Sequence, residues 1–570
     1  MSLRTRISGT IMSLSRTGKV ILYSLIGVFL VSALSLAWQI NARFLVEVPR
    51  SGGTLTEGVV GLPRLINPLL AVTDGDKDLS ALVYSGLMRH APDGSLIPDL
   101  AESYSISDDG KTYSFILKPQ VSFHDNVRVT TDDIKFTVEK AQDASLKSPK
   151  RAHWEGVSVE KISDREIHFI LPQAYAPFLE NTTLGILPKH IWEDLTAEAF
   201  ALSEFNAKPI GSGPYKIKSI KRDGEGIPES YELVANKKFS LGAPRIDRIV
   251  MKFFTNEKDA IDAYLSNSVD AINSIAPESA SELEKKDRTI LHSPLPRTFA
   301  LFFNSTDNPV LADLAVRQAL DKSVDKDIIV RTVLAGFGET LAGPVPQNLL
   351  GKSLPQESSA STSEKIPEAT RILEKAEWLV GSDGIREKKN QKETVRLAFS
   401  ISTSDAPELK AVAEILKNRW RDIGAEVTVK IFEGSNLAQE VIRPRQYDAL
   451  LFGQIINRDL DLYAFWHSSQ RTDPGLNIAL YTNPKADKML EEIRTISDRH
   501  QRIVEFSAVE AELQDDVPAV FLYAPDFIYA APHHVHGINL GMISSPSDRF
   551  QDIYTWYIDT DKIWKIFASP

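Results

Sequence analysis

The 21 residues from Val20 to Ile40 carry no formal charge and lie between Lys19 and Arg43. In hydrocarbon every backbone polar group must be satisfied within the segment, so such a run can only be a helix, and about 20 residues suffice to cross a bilayer. Arg4, Arg6 and Arg16 precede it with no acidic residue among them. This basic flank holds the N-terminus in the cytoplasm and sends everything beyond Arg43 outside. Ser35-Leu36-Ala37 offers small residues to a signal peptidase, but a signal core is about 7 to 15 residues long. The expectation is therefore a cytoplasmic basic segment and retained anchor over residues 1–45, with the cytoplasmic membrane as partner through residues 20–40. The product is a single-pass cell-membrane protein whose remaining chain lies on the extracytoplasmic side, in the periplasm or at the cell surface.

That exported part must fold without disulfides, because the 570 residues include no cysteine. The same absence removes thiolate metal sites, cysteine nucleophiles and a lipidated cysteine tether. With 43% hydrophobic residues the chain can fill two or three cores. Its formal charge is −11, but residues 1–43 hold five Lys+Arg and no Asp+Glu, leaving 60 basic against 76 acidic residues, or −16, beyond them. An acidic exported body argues against nucleic acid as a ligand and leaves small solutes open.

Pro98 to Phe136 is the most ordered local pattern. Alternating Tyr104, Ile106 and Tyr113, Phe115, Leu117 predict a hairpin closed at Asp109-Gly110. A second turn at Asp125-Asn126 and a helix opened by Thr130-x-x-Asp133 follow. Physical patterning alone stops at a small αβ unit. The order of parts, however, resembles the signature of the bacterial extracellular solute-binding proteins of family 5, the peptide/nickel class. Pro98, Leu100-Ala101-Glu102-Ser103, Asp108-Asp109-Gly110, Tyr113, Phe115, Val121, Phe123-His124-Asp125, Thr130 and Asp132-Asp133 all fit it. Tyr104, Asn126 and Thr131 depart from it mildly. The resemblance continues through Ile66-Asn67-Pro68, Gly211-Ser212-Gly213-Pro214-Tyr215 and Val316-Arg317-Gln318-Ala319-Leu320, spanning roughly residues 50–540.

What the resemblance implies is an α/β, periplasmic-binding-protein-like two-lobed fold of type II. It is the large peptide-binding subclass, with an extra inserted subdomain and mixed sheets, here preceded by one transmembrane helix. Residues 50–88, 207–297 and 524–570 are expected to build the core of lobe I and 89–206 its inserted subdomain. Lobe II is expected over 298–523, with inter-lobe strands at both ends. By residue pattern, Val72 to Asp76 reads as a polar loop before a helix at Leu79–Met88, and 351–365 as a surface loop. Thr394 to Phe432 reads as a strand, a helix capped by Asp405 and stopped by Gly424, and a second strand. Arg317 reads as structural.

No Gly-x-Ser-x-Gly elbow, His-Glu-x-x-His or phosphate loop occurs; no catalytic, metal or cofactor site is expected. His533, His534 and His536 are read as a solvated turn rather than a metal site. The expected activity is binding: an extended peptide or similar small solute is captured between the lobes and delivered, by a monomer, to an ABC permease dimer driven by separate ATPase subunits. The alternatives are an anchored extracellular hydrolase, or a sensory or chaperone module without a transporter. Carried over position by position, the resemblance places one cleft loop on Val72, Thr73 and Asp74. The facing segment falls on Gly453, Gln454, Ile455, Ile456 and Asn457, and Asn304, Trp466 and His467 join the candidate contacts. In peptide binders of this family an aspartate pairs with the ligand's amino group; Asn457 stands at that position. The ligand is then N-blocked, non-peptide or longer, or its amine is held by Asp459 or Asp461.

N-terminal sequencing of protein taken from host membranes tests the anchor. A start at or near Met1 is expected, and a start at Trp38 would establish cleavage.

Overall fold

A computed structural model describes residues 15–350, 362–389, 393–456 and 458–564. The chain divides into two compact units, Met1–Gly53 with Tyr557–Pro570, and Thr54–Trp556. In the first unit a helix runs from Arg16 to Phe44, opened by Ser15, whose hydroxyl accepts from the Gly18 amide. Its apolar residues face outward, as suits lipid rather than a core. The chain then enters a strand, Leu45–Arg50, that pairs antiparallel with Asp559–Trp564.

The second unit is organised by one twelve-stranded mixed sheet. In spatial order the second half-sheet comprises Glu426–Phe432, Ala398–Ser404, Ala449–Ile455 and Arg297–Phe303; the first, which starts earlier in the chain, comprises Ala271–Asn273, Thr54–Val60, Arg248–Phe254, Pro228–Ala235 and Tyr215–Arg222. Between them lies Ala519–Ala530, whose first half pairs with Arg297–Phe303 and whose second half pairs with Ala271–Asn273 and Ile290–Pro294. Ile290–Pro294 and Arg297–Phe303 are separated only by Leu295-Pro296. Two adjacent strands therefore carry the chain from one half to the other, at Leu295-Pro296 and at Ala524-Pro525.

Apolar runs such as Ala300–Phe303 and Ala519–Tyr523 are buried on both faces, which is why they read as continuous hydrophobics. One face of the second half-sheet packs on helices that include Leu314–Ser323, Lys326–Val333 and Pro407–Arg421; the other packs on Pro484–Ile493 and Arg499–Asp516. Arg317 acts as a splint, donating to the carbonyls of Leu311, Ala312 and Asp516 at 2.9, 2.9 and 2.7 Å. The hairpin Ala101–Ile106 with Thr112–Leu117 forms as expected, inside a separate four-stranded sheet with Glu166–Ile170 and Ser158–Lys161.

Local chemistry corrects several boundaries. Val72–Asp76 is not all loop: Thr73 and Asp76 form a reciprocal capping box that starts a helix at Asp74 and ends it at Val83. Helix Pro407–Arg421 begins at Ala406 with no side-chain cap, rather than at Asp405. The Thr394 strand splits, because Thr394–Arg396 joins a small separate sheet and Ala398–Ser404 the large one. Residues 351–361 of the expected surface loop lie outside the described residues, and helix begins at Thr362. Asn126 and Asn267, where the family pattern carries glycine, adopt φ values of 72° and 57°, a left-handed conformation that asparagine tolerates better than most residues.

One fully buried ion cluster ties the first half-sheet together. Arg549 donates to Glu57 at 2.9 Å and to both oxygens of Asp78 at 2.8 and 2.6 Å, and the Tyr529 hydroxyl donates to Glu57 at 2.9 Å. All three charged side chains are 0% exposed. Burial raises the pKa of Glu57 and Asp78 above the carboxylate range, with Arg549 opposing the shift. Burial also works against the guanidinium, yet Asp78 and Glu57 hold its pKa above that of an ordinary arginine.

Removing one partner strands the others in a dry site. Arg549→Leu is expected to cost about 3–5 kcal/mol of unfolding free energy at neutral pH. Because both orphaned carboxyls can take up protons, the loss should shrink as pH falls. Urea titrations followed by circular dichroism at pH 7 and pH 5 check both the size and the sign.

Candidate functional site

The crossover produces a cavity of ≈ 410 Å³. Its floor comes from the crossing strands themselves. Cross-strand partners share a face, so Arg297 lies beside Ile455 and Phe299 beside Gly453. Gly453 has no side chain because there is no room for one: a Cβ would meet the Phe299 ring at 2.7 Å. Phe299 in turn stacks on Tyr523 with centroids 4.9 Å apart and planes 9° apart. One wall carries Asp74, Ile275 and Pro546; the opposite wall carries Leu334, Glu408 and Leu409.

Among the described residues, strand Ala449–Ile455, which pairs with the cavity-lining strand Arg297–Phe303, has a far edge that is unpaired over part of its length. On one side it pairs with Arg297–Phe303 throughout, whereas on the other its named partners stop at Ile401↔Ala449 and Ser402↔Leu450. The alternation of main-chain groups can be read from its ends. The Ile456 amide donates to the Pro296 carbonyl at 2.7 Å, on the paired side, and the Leu451 carbonyl accepts from the Thr403 hydroxyl at 2.9 Å, on the other. Gly453 and Ile455 follow the parity of Leu451, so their amides and carbonyls face the open edge. An extended ligand can add there as a further strand.

The sequence candidates separate into three groups. Asp74 lines the cavity, whereas Gly453 and Ile455 are outside its lining, on the adjoining strand, where they face the unpaired edge. Thr73 is spent on capping, its amide and that of Val72 donating to Asp76 at 3.1 and 3.3 Å; the Val72 side chain is exposed. Gln454 points to the opposite face, where it is buried and donates to the Leu476 carbonyl at 3.3 Å. Asn304 caps a turn, accepting from the Thr306 and Asp307 amides and donating to the Arg445 carbonyl. Trp466 is 1% exposed, packed among Phe302, Tyr481 and Phe521. His467 stacks on Tyr463 at 4.1 Å. Asn304, Trp466 and His467 are absent from the cavity lining. Asn457 lies outside the described residues.

Asp461 is engaged with another part of the protein, and Asp459 is buried and accepts from the Asp461 amide within the same loop. Asp461 accepts from the Tyr175 hydroxyl at 3.1 Å and pairs with Arg494 at 3.2 Å, while the Arg494 guanidinium lies over the rings of Tyr175 and Tyr463 at 5.0 and 4.5 Å. The Ala176 amide donates to the Arg494 carbonyl at 3.0 Å. Next to them Arg458, also buried, pairs with Asp548 at 2.8 Å and donates to the Ser544 hydroxyl at 2.6 Å and to the Met542 carbonyl. The loop after the open-edge strand is thus clasped to segments 175–176 and 542–548. Its aspartates bind protein where the sequence suggested a ligand amine. Burial pushes the Asp459 carboxyl up to about 7; the Asp461 amide, donating to it at 3.0 Å, opposes that rise, the charges of Asp461 and Glu180 add to it, and Arg502 opposes it.

Arg297, Glu408 and Arg458 were not singled out by sequence reasoning. The one signal for Arg297 was a basic residue entering an otherwise apolar strand, Leu295-Pro296-Arg297-Thr298-Phe299-Ala300-Leu301. Among the described residues no group of three or more His, Cys, Asp or Glu is placed to hold a metal.

The model described as "Bacterial extracellular solute-binding proteins, family 5 Middle" matches residues 95–475. The oligopeptide-binding protein AppA of Bacillus subtilis is 30% identical over 518 residues, covering 90% of this chain and 92% of AppA. The structure of that protein in complex with a nonapeptide superposes with a TM-score of 0.65 at 28% identity, covering 90% of this chain and 100% of the other. NikZ from Campylobacter jejuni in complex with Ni(L-His) gives 0.65 and 28%, over 88% and 99% of the two chains.

The clasp carries a pH signature. An aspartate with an ordinary pKa of about 3.9 unfolded and about 7 folded leaves the native state holding the extra proton between those values. Stability is then full below about pH 4 and falls as pH rises toward 7, by up to about 1.4 kcal/mol per unit. Asp459→Asn should remove that contribution, so the difference between wild-type and variant unfolding free energies should change with pH across this window. A pH-independent difference would show that Asp459 is ionised in the folded protein.

Proposed function

The chain belongs to the family 5 bacterial extracellular solute-binding proteins, and on that premise we propose that it captures an extended peptide between its two lobes and delivers it to an ABC importer. The observation that carries this reading is the unpaired edge at Gly453 and Ile455, on the strand that adjoins the cavity-lining strand Arg297–Phe303. Main-chain groups there recognise any peptide backbone, and the cavity walls add side-chain selection. The nonapeptide bound by AppA, a relative covered nearly end to end, supports the ligand class.

Function follows from hinge closure. The chain passes between the lobes at the neighbouring crossings Leu295-Pro296 and Ala524-Pro525, so a few residues can absorb a large reorientation. A ligand that touches both walls favours the closed arrangement by its extra contacts there. The division of the chain into lobes near Thr298 and Tyr523 is part of this reading. So are the partners: a permease dimer with separate ATPase subunits receives the closed form, and the Arg16–Phe44 helix keeps the receptor at the membrane as a single-pass anchor. The strand that continues from this helix is paired with Asp559–Trp564, which ties the C-terminal strand to the anchor. Binding without turnover is the proposed activity.

Native mass spectrometry of gently purified protein should reveal a co-purifying peptide. When that peptide is returned to the stripped protein, small-angle scattering should show a smaller radius of gyration. An unchanged profile at saturation would refute closure; intact binding with hydrolysis of the peptide would make the protein an enzyme.

A further inference from the structure

Among the described residues, three charged side chains that line the inter-lobe cavity have no ion-pair partner: Arg297 on the floor, Asp74 on one wall and Glu408 on the other. The Nε of Arg297 is shielded from solvent and has no hydrogen-bond partner. Burial works against its charge, with Asp74 the one carboxylate whose field supports it. Asp526, the remaining acid of the lining, is engaged by His292 at 2.6 Å. A shielded guanidinium left unpaired costs stability. Such a group persists where a ligand supplies the missing partner. Its position fits that purpose, because Arg297 is the cross-strand partner of Ile455. A strand added along Gly453 and Ile455 is then separated from Arg297 by the single strand Ala449–Ile455, and its side chains on the face shared by Ile455 and Arg297 lie on the guanidinium's side of the sheet. Arginine's planar fork matches a carboxylate with two parallel hydrogen bonds.

We propose that Arg297 anchors a carboxylate of the ligand, while Asp74 and Glu408 select for a ligand that also bears an amine, making the preferred class zwitterionic peptides rather than polyanions. This rests on the peptide-binding reading above. It also gives the amine a place other than Asp459 and Asp461, which the clasp occupies. The carboxylate can come from a peptide C-terminus or from an acidic side chain, and the test separates the two.

The probes are three equimolar synthetic pools of peptides two to nine residues long. One has free C-termini and no acidic side chains; the second is C-amidated and without acidic side chains; the third is C-amidated with one glutamate. Retention from each pool is read by native mass spectrometry on wild type, Arg297→Gln and Arg297→Lys. Wild type should favour one carboxylate-bearing pool over the neutral amidated pool by about tenfold or more. Arg297→Gln should erase that preference without weakening retention of the amidated pool, and Arg297→Lys should restore part of it. Preference for the free C-terminus identifies the terminal carboxylate, and preference for the glutamate pool the side chain. In the absence of peptide, Arg297→Gln should melt at or above the wild-type temperature, since it removes an unpaired charge. A preference that survives in Arg297→Gln, no preference in a wild type that retains peptides, or a lower peptide-free melting temperature in both variants overturns the assignment. A wild type that retains none of the pools overturns the peptide reading, and this one with it.

Discussion

Arg549 is the group on which the arrangement of the first lobe depends. It reaches from the tail of the chain into a dry space and, among the described residues, is the only cation bonded to Glu57, on a central strand, and Asp78, on the helix Asp74–Val83. Two carboxylates around one guanidinium, with Tyr529 donating to the first, leave an excess of negative charge in a medium that cannot screen it. The cluster is tolerable only while all four elements hold their places. Because Asp78 lies one turn beyond Asp74, fixing it also fixes the helix start that forms a cavity wall. Tyr529 belongs to the strand that crosses to the other lobe. The charge cluster and the ligand cavity thus share two elements.

The crossing strands combine rigidity within each lobe with freedom between them. Each half of Ala519–Ala530 is paired on its own lobe and buried, so either half resists distortion. At Leu295-Pro296 and Pro525, proline removes a donor at the crossing, and the ladder can bend there without breaking many hydrogen bonds. The cavity sits directly over these points. On the proposed function, contacts made by a ligand to Asp74 on one side and Glu408 on the other would act across the hinge, and the clasps at Arg458 and Asp461 would act across it away from the cavity. Closure as proposed would be a competition between these sets of contacts, by which a binding event becomes a change of shape.

Legibility in the sequence followed the range of each interaction. The hairpin closed at Asp109-Gly110, the capping box at Thr130 and Asp133, and the helix stop at Gly424 depend on residues within a few positions of one another, and each forms as expected. The buried crossing strands were legible because burial on both faces demands an unbroken apolar run. The capping box at Thr73 and Asp76 was equally local and was missed, since the same polar residues also spell a loop. Trp466 and His467 looked like site residues through their segment's resemblance, yet an indole that fits a core among Phe302, Tyr481 and Phe521 loses more by facing water than it gains by facing a ligand.

The sequence by itself determined the class of molecule: an apolar helix with a basic flank, an acidic cysteine-free body, and a signature unit whose spacing admits few folds. Those are statements about composition and near neighbours, and they hold whatever the chain does at long range. Tertiary structure decided which polar groups are already satisfied. Asp459 and Asp461 were candidates for a ligand amine until Tyr175, Arg494 and the buried loop claimed them, from 286 and 33 residues away in the case of Asp461's partners. Arg297 looked like an ordinary basic residue at a strand start until the crossover left it in a cavity with no partner. Whether a charge is spent or available depends on what folds against it, and that is a property of distances no linear spacing contains.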